Sequence, residues 1–111
     1  MNIIKRKPFS PGEILLEEFM QPYKLTQNEL ARRLYITRRR VNEIINGKRS
    51  ITPDTALRLG KLFRMSPDYW LNLQIKLDIW NEAHDKKLLQ QIKSIKSLGR
   101  LKNISHDPKF G

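Results

Sequence analysis

Five short segments of this 111-residue chain carry the chemistry of a helix N-terminus, and together they leave room for little except helices. Ser10-Pro11-Gly12-Glu13 offers an N-cap hydroxyl, a proline at the first helical position and a glutamate two residues beyond it, a capping-box arrangement. Ile14, Leu15 and Phe19 follow at helical spacing, and Pro22 closes the segment. Thr26 repeats the pattern with Glu29 three residues on, ahead of an apolar stripe of Leu30, Ala31 and Leu34. Thr37 caps a third helix with an inner face of Val41, Ile44 and Ile45, ended by Asn46-Gly47. Thr52-Pro53-Asp54 starts a fourth, with Ala56, Leu59, Leu62 and Phe63 inward, and Ser66-Pro67-Asp68 a fifth. No run alternates with period two, so the expected class is all-α.

The fifth helix carries two apolar stripes. Trp70, Leu73, Leu77 and Trp80 form one, and Leu71, Ile75 and Ile79 form the other. One stripe suffices to seal a small core. The second either widens that core face or covers a second copy of the chain, and Trp70, Leu73, Leu77 and Trp80 are the expected pairing residues. Beyond residue 80 the chain turns polar and lysine-rich. Leu88, Ile92, Ile95 and Leu98 keep helical spacing up to Gly99, so a further amphipathic helix is expected. Residues 100–111 read as frayed or disordered. The expected organisation is a folded domain over 8–80 and a basic extension over 81–111.

The charge is distributed unevenly. The formal net charge is +11 and the isoelectric point about 10.3, a balance that suits a polyanionic partner. Residues 26–50 hold seven Lys/Arg against two Glu and residues 81–111 hold seven against three, while 1–25 and 51–80 are each only +1. There is no cysteine, which excludes disulfides and thiolate chemistry. The apolar runs, such as Ile14-Leu15-Leu16, fall far short of the roughly 20 residues that span a bilayer. Lys5-Arg6-Lys7 has no apolar segment after it, so no signal peptide is expected and the cytoplasm is the default location. No cofactor, metal site or catalytic centre is expected either. His84-Asp85 and His106-Asp107 sit in polar segments without convergent ligands, and neither a glycine-rich phosphate loop nor a HExxH motif is present.

The second and third helix segments, joined at Tyr35-Ile36, form a short basic pair. An α-helix enters the DNA major groove with its first turn closest to the base edges. In a helix starting after Thr37, the outward residues are Arg38, Arg39, Asn42 and Glu43, while Val41, Ile44 and Ile45 face the core. Arginine pairs bidentately with guanine and asparagine with adenine, so these four are the expected base readers. Phosphate contacts are expected from Gln27 and Thr37 at helix starts, from Arg32 and Arg40, and from Asn46, Lys48 and Arg49 in the donor-rich loop that follows. Three or four phosphates per monomer would give a dimer a log–log salt slope of roughly −5 to −7.

Several blocks of the sequence resemble one family. They are Pro11-Gly12-Glu13-Ile14-Leu15, Leu25-Thr26-Gln27-Asn28-Glu29-Leu30-Ala31 and Val41-Asn42-Glu43-Ile44-Ile45-Asn46-Gly47-Lys48-Arg49. Ile51-Thr52-Pro53-Asp54-Thr55-Ala56-Leu57-Arg58-Leu59 and Ser66-Pro67-Asp68-Tyr69-Trp70-Leu71-Asn72-Leu73-Gln74 complete the set. Over residues 8–80 the chain is similar to the HigA-type antitoxins of the Xre (Cro/repressor-like) helix-turn-helix superfamily. The last two blocks distinguish it from generic phage-repressor-like readers. The resemblance implies a five-helix λ-repressor-like domain that forms a homodimer on a palindromic operator and represses its own two-gene operon. It also implies neutralisation of a small HigB/RelE-like mRNA endonuclease toxin. It places DNA contacts at Gln27, Thr37, Arg38, Arg39, Asn42 and Lys48. A toxin of that kind is itself basic, so its contact would use apolar surface or acids such as Glu13, Glu17 and Glu18, although these read in the first place as solvated helix-start carboxylates. The alternative is a solitary Xre-family transcriptional regulator without a cognate toxin.

Overall fold

A computed structural model of the protein describes residues 6–99 and Leu101. Six α-helices follow in order, with no strand among the described residues: α1 (Pro11–Ile14), α2 (Gln27–Leu34), α3 (Arg38–Ile45), α4 (Pro53–Phe63), α5 (Pro67–Ala83) and α6 (Lys86–Ser94). Each of the five expected caps is made. The Ser10 hydroxyl accepts from the Glu13 N–H at 3.1 Å while Glu13 Oε2 accepts from the Ser10 N–H at 3.3 Å, closing the capping box. Thr26, Thr37, Thr52 and Ser66 each accept from a backbone N–H in the first turn.

The first segment does not stop at α1. It widens into a π-helical stretch, Leu15–Met20, in which the Gln21 N–H reaches the Leu16 carbonyl at 3.0 Å. Residues five apart share a face when hydrogen bonds run i→i+5. That is how Leu15 and Met20, on opposite flanks of an ordinary α-helix, are both buried.

One core gathers the elements. Leu15, Met20, Leu30, Ala31, Leu34, Val41, Ile44, Ile51, Ala56, Leu59 and Trp70 are all buried, and Phe19, Leu62 and Phe63 pack against them. Trp70 is fully enclosed, its ring 5.0 Å from Phe19 and 5.3 Å from Tyr69. This corrects the expectation that Trp70 pairs two copies: Trp70 faces the chain's own core, and Leu73 of the same stripe and Leu71 of the other pack against that core, whereas Leu77 and Trp80 lie outside it. Leu73, Leu77 and Trp80 are half-buried, whereas Ile75 and Ile79 of the second stripe are 52% and 54% exposed. Sequence patterning did not reveal Gln74, buried on the inner side of α5. Its Oε1 accepts the Ile51 N–H at 2.9 Å and its Nε2 donates to Asp78 at 2.9 Å, so the strap before α4 is pinned to α5 by one satisfied amide.

Two close approaches set helix positions. Gly12 lies where α1 crosses the end of α3, and a Cβ there would collide with the carbonyl oxygens of Ile44 and Ile45. Asp54 accepts from Arg58 Nε at 2.8 Å and from Arg40 Nη2 at 2.6 Å. Arg58 also donates to the Leu34 carbonyl at 2.7 Å, closing the end of α2. These two arginines hold Asp54 down to about 2, well below an ordinary aspartate.

Helix α5 continues to Ala83, past the expected boundary at residue 80. Asp85 then caps α6 by accepting from the Lys87 and Leu88 N–H groups at 3.0 and 3.2 Å. The expected helix through Leu98 ends instead at Ser94, where Ile95 turns extended, and no residue of α6 is buried. With no core contact behind it, the apolar periodicity cannot carry the helix further. Of the tail expected to fray, all but Leu101 lies outside the described residues. No described helix is long and apolar enough to cross a membrane.

Candidate nucleic-acid interface

The turn between α2 and α3 is a tight one. Tyr35 adopts the left-handed conformation (φ 57°, ψ 41°), and the Ile36 N–H returns to the Ala31 carbonyl at 3.0 Å. This reverses the chain within three residues and leaves Tyr35 fully in solvent while Ile36 packs on the core. Thr37 then accepts the Arg40 N–H at 3.1 Å, so α3 starts at Arg38 with its first two guanidinium groups outward. Arg38 is exposed and makes no ion pair among the described residues; Arg39 is 87% exposed, with Nε 3.9 Å from Glu43. Burial of Val41 and Ile44 on the opposite side fixes which face is presented.

Three of the expected contact residues form one chain of amides. Asn42 Nδ2 donates to Gln27 Oε1 at 3.2 Å, and Asn42 Oδ1 accepts from Asn46 Nδ2 at 3.1 Å. The first residue of α2, the middle of α3 and the C-cap of α3 thus present a continuous polar strip flanked by Arg38 and Arg39. Each amide in such a strip fixes the orientation of the next, which is the preorganisation that base and phosphate contacts need. Lys48 is exposed in the following loop, its N–H bonded to the Glu43 carbonyl at 2.8 Å. Arg32 is exposed on α2 and makes no hydrogen bond to α3 among the described residues.

Two expected contacts are placed otherwise. Arg40 points inward: its Nη2 donates to Asp54 and to the Thr55 hydroxyl, both at 2.6 Å, so it clamps α3 to α4 instead of lying on phosphate. Spacing within α3 alone could not distinguish the two roles, because the partners lie 14 and 15 residues away. Glu43 is not free to read a base either. Arg49 Nη2 and Nε donate to its Oε1 at 2.9 and 3.2 Å, and this pairing holds its carboxyl below the ordinary glutamate range. Arg49 is correspondingly half-engaged, though still about half exposed. Arg58 escaped the sequence reading, although Asp54-x-x-x-Arg58 is the spacing at which helical ion pairs form. Of the two histidine motifs, His84 stacks on Trp80 at 3.9 Å and His106 lies outside the described residues.

A capped helix pair, a tight left-handed turn and an arginine-led second helix with an amide strip beside it define a helix-turn-helix DNA-binding protein. Comparison with known proteins agrees. The family model described as helix-turn-helix matches residues 16–70. An uncharacterized HTH-type transcriptional regulator of Haemophilus influenzae is 39% identical over 94 residues, covering 85% of this chain and 88% of that protein. Among solved structures, an addiction module antidote protein of the HigA family from Coxiella burnetii is 46% identical, with a TM-score of 0.74 over 83% of this chain and 99% of that one. The Pseudomonas aeruginosa antitoxin HigA, solved with the higBA promoter, is 34% identical, with a TM-score of 0.76 over 82% and 98%. The chain belongs to the Xre helix-turn-helix family and resembles its HigA-type antitoxins, a family of DNA-binding proteins and not of enzymes.

Proposed function

We propose that this protein is a cytoplasmic, operator-binding antitoxin that represses its own operon as a homodimer and neutralises a HigB/RelE-like mRNA endonuclease toxin. The observation that carries the DNA reading is the outward pair Arg38 and Arg39 on the first turn of α3, beside the Gln27–Asn42–Asn46 amide strip. In this reading Arg38, Arg39 and Asn42 meet base edges, while Gln27, Arg32, Thr37, Asn46, Lys48 and Arg49 meet phosphates. The likeness to a HigA solved with a promoter supports the same conclusion. The toxin-binding role rests on the likeness to an antidote protein of an addiction module. Residues 8–80 are the DNA-binding and pairing domain and 81–111 a basic extension. Leu73, Leu77 and Trp80, half-buried along one face of α5, serve as pairing residues.

The test is binding to a duplex taken from immediately upstream of the protein's own reading frame, against a mixed-sequence duplex of equal length at physiological salt. The operator duplex is expected to bind at least about a thousandfold more tightly. Equal affinity for the two ends the operator reading. Arg39→Ala is expected to cost about 1–3 kcal/mol on the operator and to relax preference at one base pair. Lys48→Ala weakens all sequences alike. A second reading, a solitary regulator, accords with the likeness to the Haemophilus protein described as an HTH-type transcriptional regulator. Co-expression with the adjacent reading frame separates the two, because an antitoxin protects cells from that product and a solitary regulator does not.

A further inference from the structure

Glu43 lies on the reading side of α3, surrounded by cations. Arg49 engages it through two guanidinium nitrogens, Arg39 stands 3.9 Å away, and Lys48 adds to the same positive field. The Glu43 main-chain carbonyl also accepts the Lys48 and Arg49 N–H groups at 2.8 and 3.2 Å, so the loop after α3 folds back over it. Its side chain is 24% exposed, against 87% for Arg39 and 48% for Arg49. A carboxylate in that position engages Arg49 directly and offers Arg39 the kind of partner that a DNA phosphate would.

We propose that Glu43 is a specificity-determining residue that competes with phosphate for Arg39 and positions Arg49, and so suppresses binding to unmatched DNA. This rests on the reading of α3 as the helix that enters the groove. On a mixed-sequence duplex, Arg39 can exchange Glu43 only for a phosphate, which is one ionic partner for another, and it stays on the protein. On a matched duplex, the bidentate base contact outweighs a loose 3.9 Å pair, and Arg39 leaves. Arg49, held at 2.9 and 3.2 Å through Nη2 and Nε, stays on Glu43 in both complexes and fixes the loop that carries Lys48, while its exposed half still faces the phosphate backbone. Glu43 therefore removes about one phosphate contact from unmatched complexes and leaves the matched contact intact.

Glu43→Gln keeps an acceptor for Arg49 and removes the charge, so the loop stays folded, as thermal melts will check. Measured by fluorescence anisotropy across a salt series, its affinity for a mixed-sequence duplex should rise about threefold and the log–log slope steepen by about 1. The operator slope changes less, so discrimination falls by a similar factor. A second variant reads the same competition independently. Arg39→Gln should lower mixed-sequence affinity about threefold more in the Glu43→Gln background than with Glu43 intact, because only in that background is the arginine released to phosphate. Unchanged mixed-sequence affinity and slope in Glu43→Gln overturn the proposal. So does an effect confined to one operator base pair, which would make Glu43 a base reader, or an equal loss from Arg39→Gln in both backgrounds. A wild type that fails to discriminate operator from mixed sequence defeats the operator reading alone, and the mixed-sequence comparisons still decide the role of Glu43.

Discussion

Replacing Gly12 with alanine tests how α3 is held. Alanine favours a helix over glycine by about 1 kcal/mol, so local propensity alone predicts a more stable protein. The packing predicts the reverse. The added Cβ would lie 2.7 Å from the Ile45 carbonyl oxygen and nearer still to that of Ile44, where ordinary contact begins at 3.4 Å. The obstacle is backbone on both sides, so neither partner can rotate away. Separating α1 from α3 by about 0.7 Å or more opens the core around Leu15 and Ile44 as well. Over-packing of this kind costs about 1–3 kcal/mol, and a backbone clash belongs at the upper end. At roughly 4–8 °C per kcal/mol for a domain of this size, the melting temperature should fall by about 10–20 °C. The assay is thermal denaturation by circular dichroism, paired with operator binding at a temperature where both proteins remain folded. A displaced α3 should weaken operator more than mixed-sequence binding, because base contacts depend on registry and phosphate contacts much less. A melting temperature equal to or above that of wild type would refute the argument.

Three further outcomes are expected. Tyr35 holds a left-handed conformation with its side chain 89% exposed, so Tyr35→Gly should relieve about 1–2 kcal/mol of backbone cost, less about 0.5–1 kcal/mol of glycine entropy. Its melting temperature should rise by a few degrees, whereas a fall would mean that the tyrosine ring contributes contacts unrelated to its conformation. Gln74→Leu strands the buried Ile51 N–H and should cost about 1–3 kcal/mol in urea unfolding; a neutral result would show that the strap before α4 finds another acceptor. Asp54 is depressed to about 2 in the folded protein from an ordinary 3.8, so its carboxylate stabilises the fold above about pH 4, and that contribution is lost as pH falls through 2. Asp54→Asn should therefore flatten the acid limb of the melting-temperature profile, and an unchanged limb would exclude the Arg40–Asp54–Arg58 clamp as its source.

Local signals foretold much of this molecule. Ser10, Thr26, Thr37, Thr52 and Ser66 each cap a helix because capping involves residues at most three apart, within reach of a sequence pattern. The inner faces of α2 and α3 were legible for the same reason: a stripe of Leu30, Ala31 and Leu34, or of Val41 and Ile44, can face only one way on a short helix. The outward arginines of α3 followed from that burial by exclusion. Contacts between distant positions were not legible. Arg40 looked like its neighbours Arg38 and Arg39 until α4 brought Asp54 and Thr55 against it. Glu43 looked like a base reader until the loop carried Arg49 back over it.

Helix α5 marks the division most clearly. Its apolar residues were plain from composition and spacing, and so was the presence of two stripes. Which of those residues met the core (Trp70, Leu71 and Leu73 near the helix start) was decided by Phe19 and the residues around Trp70, side chains contributed from separate parts of the chain. By itself the sequence determined the first five helices, their starts and the inner faces of α2 and α3, because hydrogen-bond capping and periodic burial act within a few residues. The tertiary structure alone decided which charges are spent inside the protein and which remain for DNA. Pairing energy depends on distances between elements that no local spacing encodes.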